Sequence, residues 1–207
     1  MSESIFPIRA QYRTILPVLA LLGGCAAQVP AVEVTRFHAG DAVARSGGFL
    51  IEGADGLSSD SIEFRTYAGA VSQQMQRVGF TDETGLKTFA PSQYIARISY
   101  GRDVRSAAPV SRSPVSVGVG GSTGSYGSGL GLGIGINLSG KPKDQIDTRL
   151  SVQIRRRADN AAIWEGRAQT IAKEGTPASQ PGIAAAKLAT ALFSNYPGKS
   201  GETITVP

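Results

Sequence analysis

The sequence predicts an α+β fold: an antiparallel β-sheet with two amphipathic helices packed on one face, plus a Gly-rich β-hairpin insert. Three observations predict it. Apolar and polar residues alternate along several separate stretches with the period of two of half-buried strands. Two further stretches carry apolar residues at every third or fourth position, the spacing of one helix face. The alternating stretches come in groups and are not continuously apolar, which disfavours a parallel sheet buried on both sides.

Residues 32–38 (VEVTRFH) alternate and open the domain, and 39–46 form a loop. Residues 47–52 make a second, shorter strand bounded by glycines. Asp60 is the expected N-cap of the first helix, with Glu63 three positions on in capping-box spacing. Phe64, Tyr67 or Ala68, Val71, Met75 and Val78 then share a face, while Gln73, Gln74, Gln76 and Arg77 lie on or near the wet side. Gly79 stops this helix as a C′ glycine does.

In residues 92–102, Tyr94, Ala96, Ile98 and Tyr100 point one way and Ile95, Arg97 and Ser99 the other. Residues 147–157 alternate with Leu150, Val152 and Ile154 inward, and Asp159-Asn160 is turn chemistry. With the return over 162–173, residues 147–173 read as a hairpin. After the Gly175-Thr176-Pro177 break, Ile183, Ala184, Lys187, Leu188, Ala191 and Leu192 mark the second helix, which ends before Pro197-Gly198. One α+β domain over 32–198 is expected, followed by a C-terminal tail at 199–207.

The insert at 114–140 places Val115, Val117 and Val119, then Leu130, Leu132, Ile134, Ile136 and Leu138, on alternate positions. Gly118, Gly120, Gly131, Gly133 and Gly135 fall between them, giving a candidate interaction surface of nearly bare backbone. Three readings stay open: a hairpin over the domain's own core, a glycine face meeting a partner sheet or another copy, and a membrane-inserting hairpin of an oligomeric pore. The second arm just reaches the ~9–11 residues of a transmembrane strand, and the first falls short. Gly135 to Lys141 matches GxxxxGK, but Pro142 stands where Ser or Thr must hold Mg²⁺, which excludes a phosphate loop.

The N-terminus decides the compartment. Arg9 and Arg13 precede a short apolar stretch, Ile15 to Leu22, too short to span a bilayer that needs ~20 residues. A basic flank, a short apolar core and small residues form a secretory signal, here residues 1–24. Leu22-Gly23-Gly24-Cys25 resembles the lipobox of bacterial lipoproteins. The resemblance implies recognition of Leu22, Gly23 and Gly24 by the signal peptidase, a diacylglycerol on the Cys25 thiol, and an acyl group on its new amine. Residues 25–31 are then a lipidated tether, and two lipid signals suffice for stable anchoring. Ala26 rather than Asp after the cysteine implies outer-membrane release, with the domain on the periplasmic face.

Composition narrows the chemistry. The chain has 207 residues, a net charge of +5, one Cys and one His. Loss of a leader holding Arg9, Arg13 and Glu3 leaves a mild basic excess and no lysine-rich stripe, so nucleic acid is not an expected partner. No metal, cofactor or catalytic residue is expected. His38 lacks a second His for a zinc site, and no G-x-S-x-G elbow supports a triad. Glu63, Glu83, Glu165 and Glu174 are scattered as caps and strand-surface residues, although a glycosidase-like pair needs only to meet in space. Trp164 reads as a core or rim aromatic, and Arg155-Arg156-Arg157 as a solvated run set against Asp159.

Taken in order, Val32-Glu33-Val34, the helix end at 74–80 (QMQRVGF), the strand at 94–100, the Gly-rich insert, 163–168 (IWEGRA) and 192–198 (LFSNYPG) resemble a bacterial envelope family catalogued as domain of unknown function 4136. The resemblance covers nearly the whole mature chain. It implies a lipid-anchored, non-enzymatic α+β domain and supplies no catalytic residues. The expected function is an outer-membrane lipoprotein acting as a periplasmic binding or structural module. The membrane, reached through Cys25, is the expected partner, with another envelope protein or a second copy beside it. An oligomeric pore or secretion-associated lipoprotein and an envelope hydrolase with a carboxylate pair are the alternatives.

Overall fold

The computed structural model describes residues 29–40, 43–54, 56–86, 91–107 and 143–207, and the backbone of 115–123 and 128–136. In chain order the elements are Val32–His38 (β1), Gly47–Gly53 (β2), Ile62–Arg77 (α1), Phe80–Asp82 (β3), Tyr94–Arg105 (β4), Val115–Thr123 (β5), Ser128–Ile136 (β6), Gln145–Arg156 (β7), Ala162–Lys173 (β8), Pro181–Phe193 (α2) and Thr203–Val206 (β9). A seven-stranded sheet runs β3-β2-β4-β7-β8-β1-β9, and β5 and β6 pair in a separate two-stranded sheet.

The class is α+β, but the main sheet is mixed rather than antiparallel. β2 runs parallel to both β3 and β4, whereas the β4-β7, β7-β8, β8-β1 and β1-β9 pairings are antiparallel. The parallel margin follows from chain path: the helix α1 carries the chain from the end of β2 back to its start, so β3 enters in the same direction. Alternation within β2 says nothing about that direction.

Period-two alternation sorts side chains between the faces. Val32 and Val34, Ala96 and Ile98, Leu150, Val152 and Ile154, and Trp164 and Ala168 are buried on the side of the helices. α2 packs on β8, β1 and β7, α1 packs on β2 and β3, and the helices touch each other. They run parallel: a Cβ at Gly182 would lie 4.0 Å from Thr66, and eight residues on in each helix Gln74 Nε2 donates to Thr190 Oγ1 at 3.1 Å.

Several boundaries and surfaces differ from expectation. The N-cap of α1 is Ser61, whose hydroxyl accepts from Phe64 N at 3.0 Å, so the capping register lies one residue later than Asp60. Gln74 is buried against α2 rather than solvated, because a second helix covers that flank of α1. Ile183, assigned to the apolar face of α2, is 45% exposed, since the buried stripe passes through Ala184, Ala185, Leu188, Ala191 and Leu192. Residues 203–206, expected as tail, form edge strand β9 on β1. β3, not anticipated at all, is held by Asp82, which accepts from Ser72 of α1 and from Thr84 N. Burial opposes ionisation of Asp82, but the hydrogen bonds from Ser72 and Thr84 outweigh it and lower its pKa.

The tightest knot joins β1, β8 and the end of α2. Arg36 stands at an inward position of β1, 4% exposed. Its Nε donates to Leu192 O at 2.8 Å, and its Nη2 to Ala191 O at 2.7 Å and Ser194 Oγ at 3.0 Å. The two carbonyls belong to the C-terminal turn of α2, where a cation also meets the negative end of the helix dipole, and Ala191 O accepts from Ser194 N and Oγ as well. Burial lowers the Arg36 pKa. Beside it Trp164 stacks on Phe193 at 5.2 Å and leans on Tyr196 at 5.4 Å, and its Nε1 donates to Pro197 O at 3.0 Å.

Arg36→Met removes the donor to Leu192 O and one of the donors to Ala191 O, and we expect a loss of about 2–3 kcal/mol in urea unfolding with an unchanged m-value. Arg36→Lys should recover less than half of it, because one ammonium cannot span the fork of donors that the guanidinium presents. Equal stability of wild type and Arg36→Met would show that the knot is not needed.

Candidate functional site

The face of the sheet opposite the helices is polar across its middle, with Phe37 and Ile171 toward its two ends, and the register shows how it is built. One row runs Ser99, Ser151, Arg167, Thr35 and Thr203 across β4, β7, β8, β1 and β9. The next runs Gly101, Arg149, Gln169, Glu33 and Thr205 across the same strands. Strand spacing gives such a row of five a width of about 19 Å. Short residues, Ser99, Ser151, Thr35 and Thr203, floor a shallow trough of ≈ 390 Å³, and Arg149, Arg167, Gln169 and Glu33 rise beside it.

Charge on this face is balanced locally. Arg149 pairs with Asp103, and Arg105 Nη2 reaches Asp147 Oδ2 at 2.5 Å. Asp147 is fully buried and also accepts from Gln169 Nε2 at 2.9 and 3.0 Å. In the neighbouring row Arg155 donates to Gln153 at 2.9 Å, Gln153 to Glu165 at 3.4 Å, and Arg167 to Glu165 at 2.6 Å. Thr35 and Thr203 hydroxyls share a bond of 2.8 Å. Because Arg149, Arg105 and Arg167 each have a carboxylate neighbour, the trough offers hydroxyls, amides and largely compensated ions rather than a strong field of one sign.

Carboxylates do meet on this face: Asp103 lies opposite Asp147 in register. Arg105 and Arg149 stand over them, which is the surrounding of an ion-pair cluster, whereas a general acid needs an environment that raises its pKa. The carboxylates that depart clearly from ordinary behaviour, Asp82 and Asp159, are both lowered, the latter chiefly by the Ala161 N–H and further by Arg156. No cluster of His, Cys, Asp and Glu able to hold a metal occurs among the described residues.

Leu22, Gly23, Gly24 and Cys25 lie outside the described residues, as does the rest of 1–28. In the two-stranded sheet Gly118 opposes Gly133, Gly120 opposes Gly131, and Gly135 opposes Ser116. His38 closes β1: its amide donates to Ser200 Oγ at 3.0 Å and its Nε2 is 3.3 Å from Gly198 O, so it serves the C-terminal turn. Trp164 is a core residue, 1% exposed. Arg155 caps the β7–β8 turn through Asn160 O, and Arg156 pairs with Asp159 at 2.7 Å. The polar rows were missed because cross-strand register is not written in any one strand; the available signal was the run of polar residues at outward positions of 97–103, 147–155 and 165–169.

Comparison with known proteins adds the following. The family model described as Domain of unknown function (DUF4136) matches residues 37–198. An uncharacterized protein of Zymomonas mobilis, ZMO1243, is 32% identical over 209 residues, covering 83% of this chain and 78% of that protein. A PDZ domain protein from Parabacteroides distasonis resembles it at a TM-score of 0.45 and 9% identity, over 86% of this chain and 39% of that one. A PelC dodecamer from Paraburkholderia phytofirmans does so at a TM-score of 0.42 and 8% identity, over 78% of this chain and 95% of that one. At these scores the structural likenesses carry no argument about activity or assembly.

The remaining titratable group of note is Tyr67 of α1, fully buried and stacked on Tyr100 at 4.3 Å and 6°. Its hydroxyl finds no hydrogen-bond partner among the described residues. Burial, then Glu63, then Tyr100, opposed by Arg102, push its pKa up to about 12. An unfolded tyrosine ionises near 10 while the folded one keeps its proton to about 12, so this contribution to stability is full below pH 10 and is lost across that interval. Tyr67→Phe removes an unsatisfied hydroxyl, and we expect a gain of ~1 kcal/mol at pH 7. The variant should also lose less stability than wild type between pH 10 and 12, measured by urea unfolding; identical alkaline slopes would refute the assignment.

Proposed function

The chain belongs to the DUF4136 family, and on that footing we propose that it is an outer-membrane lipoprotein, anchored through Cys25, whose periplasmic domain is a non-enzymatic binding module. The observation that carries the binding reading is the polar five-strand row on the helix-free face. Its arginines are already paired, so it suits a complementary polar protein surface, another envelope protein or a second copy, better than a highly charged small ligand. The anchor is supported by the leader and by Leu22-Gly23-Gly24-Cys25. Neither part requires a cofactor, and the arginine-covered carboxylates give no support to hydrolysis.

Intact mass and membrane fractionation of the native protein beside Cys25→Ala test the anchor. The expected product begins at Cys25, carries three acyl chains and fractionates with the outer membrane, and the variant is neither acylated nor sorted there. An unmodified Cys25 with the leader still attached would refute it. For the face, a photocrosslinking amino acid at Ser151 should give a discrete adduct in cells that one at exposed Gln73 does not. Gly101→Leu should abolish the adduct without unfolding the domain, because a Cβ at 101 meets nothing within 4 Å. An adduct indifferent to residue 101 would move the binding surface elsewhere.

A further inference from the structure

The topology gathers at one end of the sheet several features that the polar trough does not use. Val32 lies opposite Thr170, Thr170 opposite Thr148, and Thr148 opposite Arg102. The start of β1, and with it the chain leading back toward Cys25, therefore leaves the domain where β4 ends at Arg105 and β7 begins at Gln145. Val206 of β9 ends at the same level, opposite Val32. Both helices begin here too, since they run parallel: Arg102 Nη2 donates to Ser179 O just ahead of α2 at 2.7 Å, and Lys187 of α2 donates to Pro30 O.

This end is also where apolar side chains are left in water. Val29 is 66% exposed, Ile62 77%, Val104 60%, Ile171 39% and Ile183 45%. They come from five separate elements or approaches: the segment before β1, the first residue of α1, the end of β4, the end of β8, and the first turn of α2. Among the described residues the other exposed large apolar side chains, Phe37 and Leu86, belong to the opposite end, Phe37 opposite Glu165 and Leu86 in the turn after β3. Single exposed aliphatics need no explanation, but their convergence from unrelated parts of the chain on one pole does.

We propose that this pole is the surface the domain lays against the lipid bilayer, its aliphatic side chains entering the headgroup region. The proposal rests on the reading of Cys25 as the lipidated residue, and the length of the tether argues for it. Val29 stands four positions after Cys25, so even a fully extended chain keeps Val29 within about 14 Å of the acylated cysteine. Arg102 and Lys173, standing among the aliphatics, fit that depth, because long cationic side chains bury their stems while keeping the charge at the headgroups.

The test uses the full lipoprotein purified from membranes and reconstituted into phosphatidylcholine vesicles containing one-fifth phosphatidylglycerol, with or without brominated acyl chains. Acylation occupies the Cys25 thiol, so one added cysteine carries the only fluorescent label. Labels at Val104→Cys and Ile171→Cys should be quenched at least about twofold by the brominated lipid, as a contact 5–10 Å deep requires, and labels at Leu86→Cys and Phe37→Cys should not. Equal quenching at both poles, or none at residues 104 and 171, would overturn the docking surface. Should Cys25 prove unmodified, each chain takes a second label and its mass shows it, which sinks the anchor reading separately. The same comparison is then read after Cys25→Ala on protein added to preformed vesicles, where quenching confined to 104 and 171 supports the pole and its absence overturns it.

Discussion

A guanidinium buried beneath the end of a helix organises this domain. α2 has no basic residue in its last turn; Ser194 and Tyr196 donate to Ala191 O and Phe193 O, which leaves Leu192 O between them short of a donor. Arg36 of β1 supplies the missing donor from the adjoining strand. Because the strand and the helix are separated by most of the chain, that contact fixes α2 across β1 and β8 rather than at any other angle. The chain then turns through Asn195 and Gly198, both at positive φ, and Gly201 N donates to Arg36 O at 2.8 Å before β9 pairs with β1. Strand β9 thus begins beside the residue whose side chain meets the end of α2.

Two of the segments that carry the family likeness meet at this knot. IWEGRA brings Trp164 and Gly166, and LFSNYPG brings Leu192, Phe193, Tyr196 and Gly198. Gly166 has no room for a side chain: a Cβ there would lie 2.5 Å from Trp164 and 2.7 Å from Leu192. Gly198 sits at φ +80 with Arg36 Cδ 2.6 Å from where its Cβ would be. Close approach explains both glycines, and ring stacking explains Trp164, Phe193 and Tyr196. These residues are spent on the fold, which is why a motif made of them points to no chemistry, and why function must be sought on surfaces the knot leaves uncovered.

What the sequence conveys and what it hides divide along the range of the interactions. β1 and β8 have the limits their alternation implies, and Phe64, Tyr67, Val71 and Met75 form the buried stripe of α1, because burial of one face imposes the period directly. β3 is three residues long, too short to show a period, and β9 exists only because β1 offers it an edge. The parallel direction of β2 is a property of chain path, and the polar rows are a property of register; neither has a local signature. Arg36 did have one. It occupies the third inward position after Val32 and Val34, and a charge on the apolar side of a strand demands partners. The carboxylate pair shows the converse: Asp103 and Asp147 are brought together only by pairing, and the arginines beside them decide that the pair is an ionic cluster.

The two proposed surfaces constrain each other. Exit of β1 from one pole means that the strands run away from the anchor, so a pole resting on lipid stands the sheet upright on the membrane. The helix-covered face and the polar face are then both turned sideways, parallel to the bilayer normal. The trough crosses the strands, since its rows are formed across β4, β7, β8, β1 and β9. It therefore lies parallel to the membrane plane, at the height of Ser151 and Arg167, roughly three to five residues above the pole or about 10–17 Å. A partner meeting it approaches laterally, along the same membrane, and is restrained to the same two dimensions. For a face whose charges are largely neutralised within the domain, that confinement matters: the local concentration set by a shared surface supplies encounter that long-range electrostatic attraction does not.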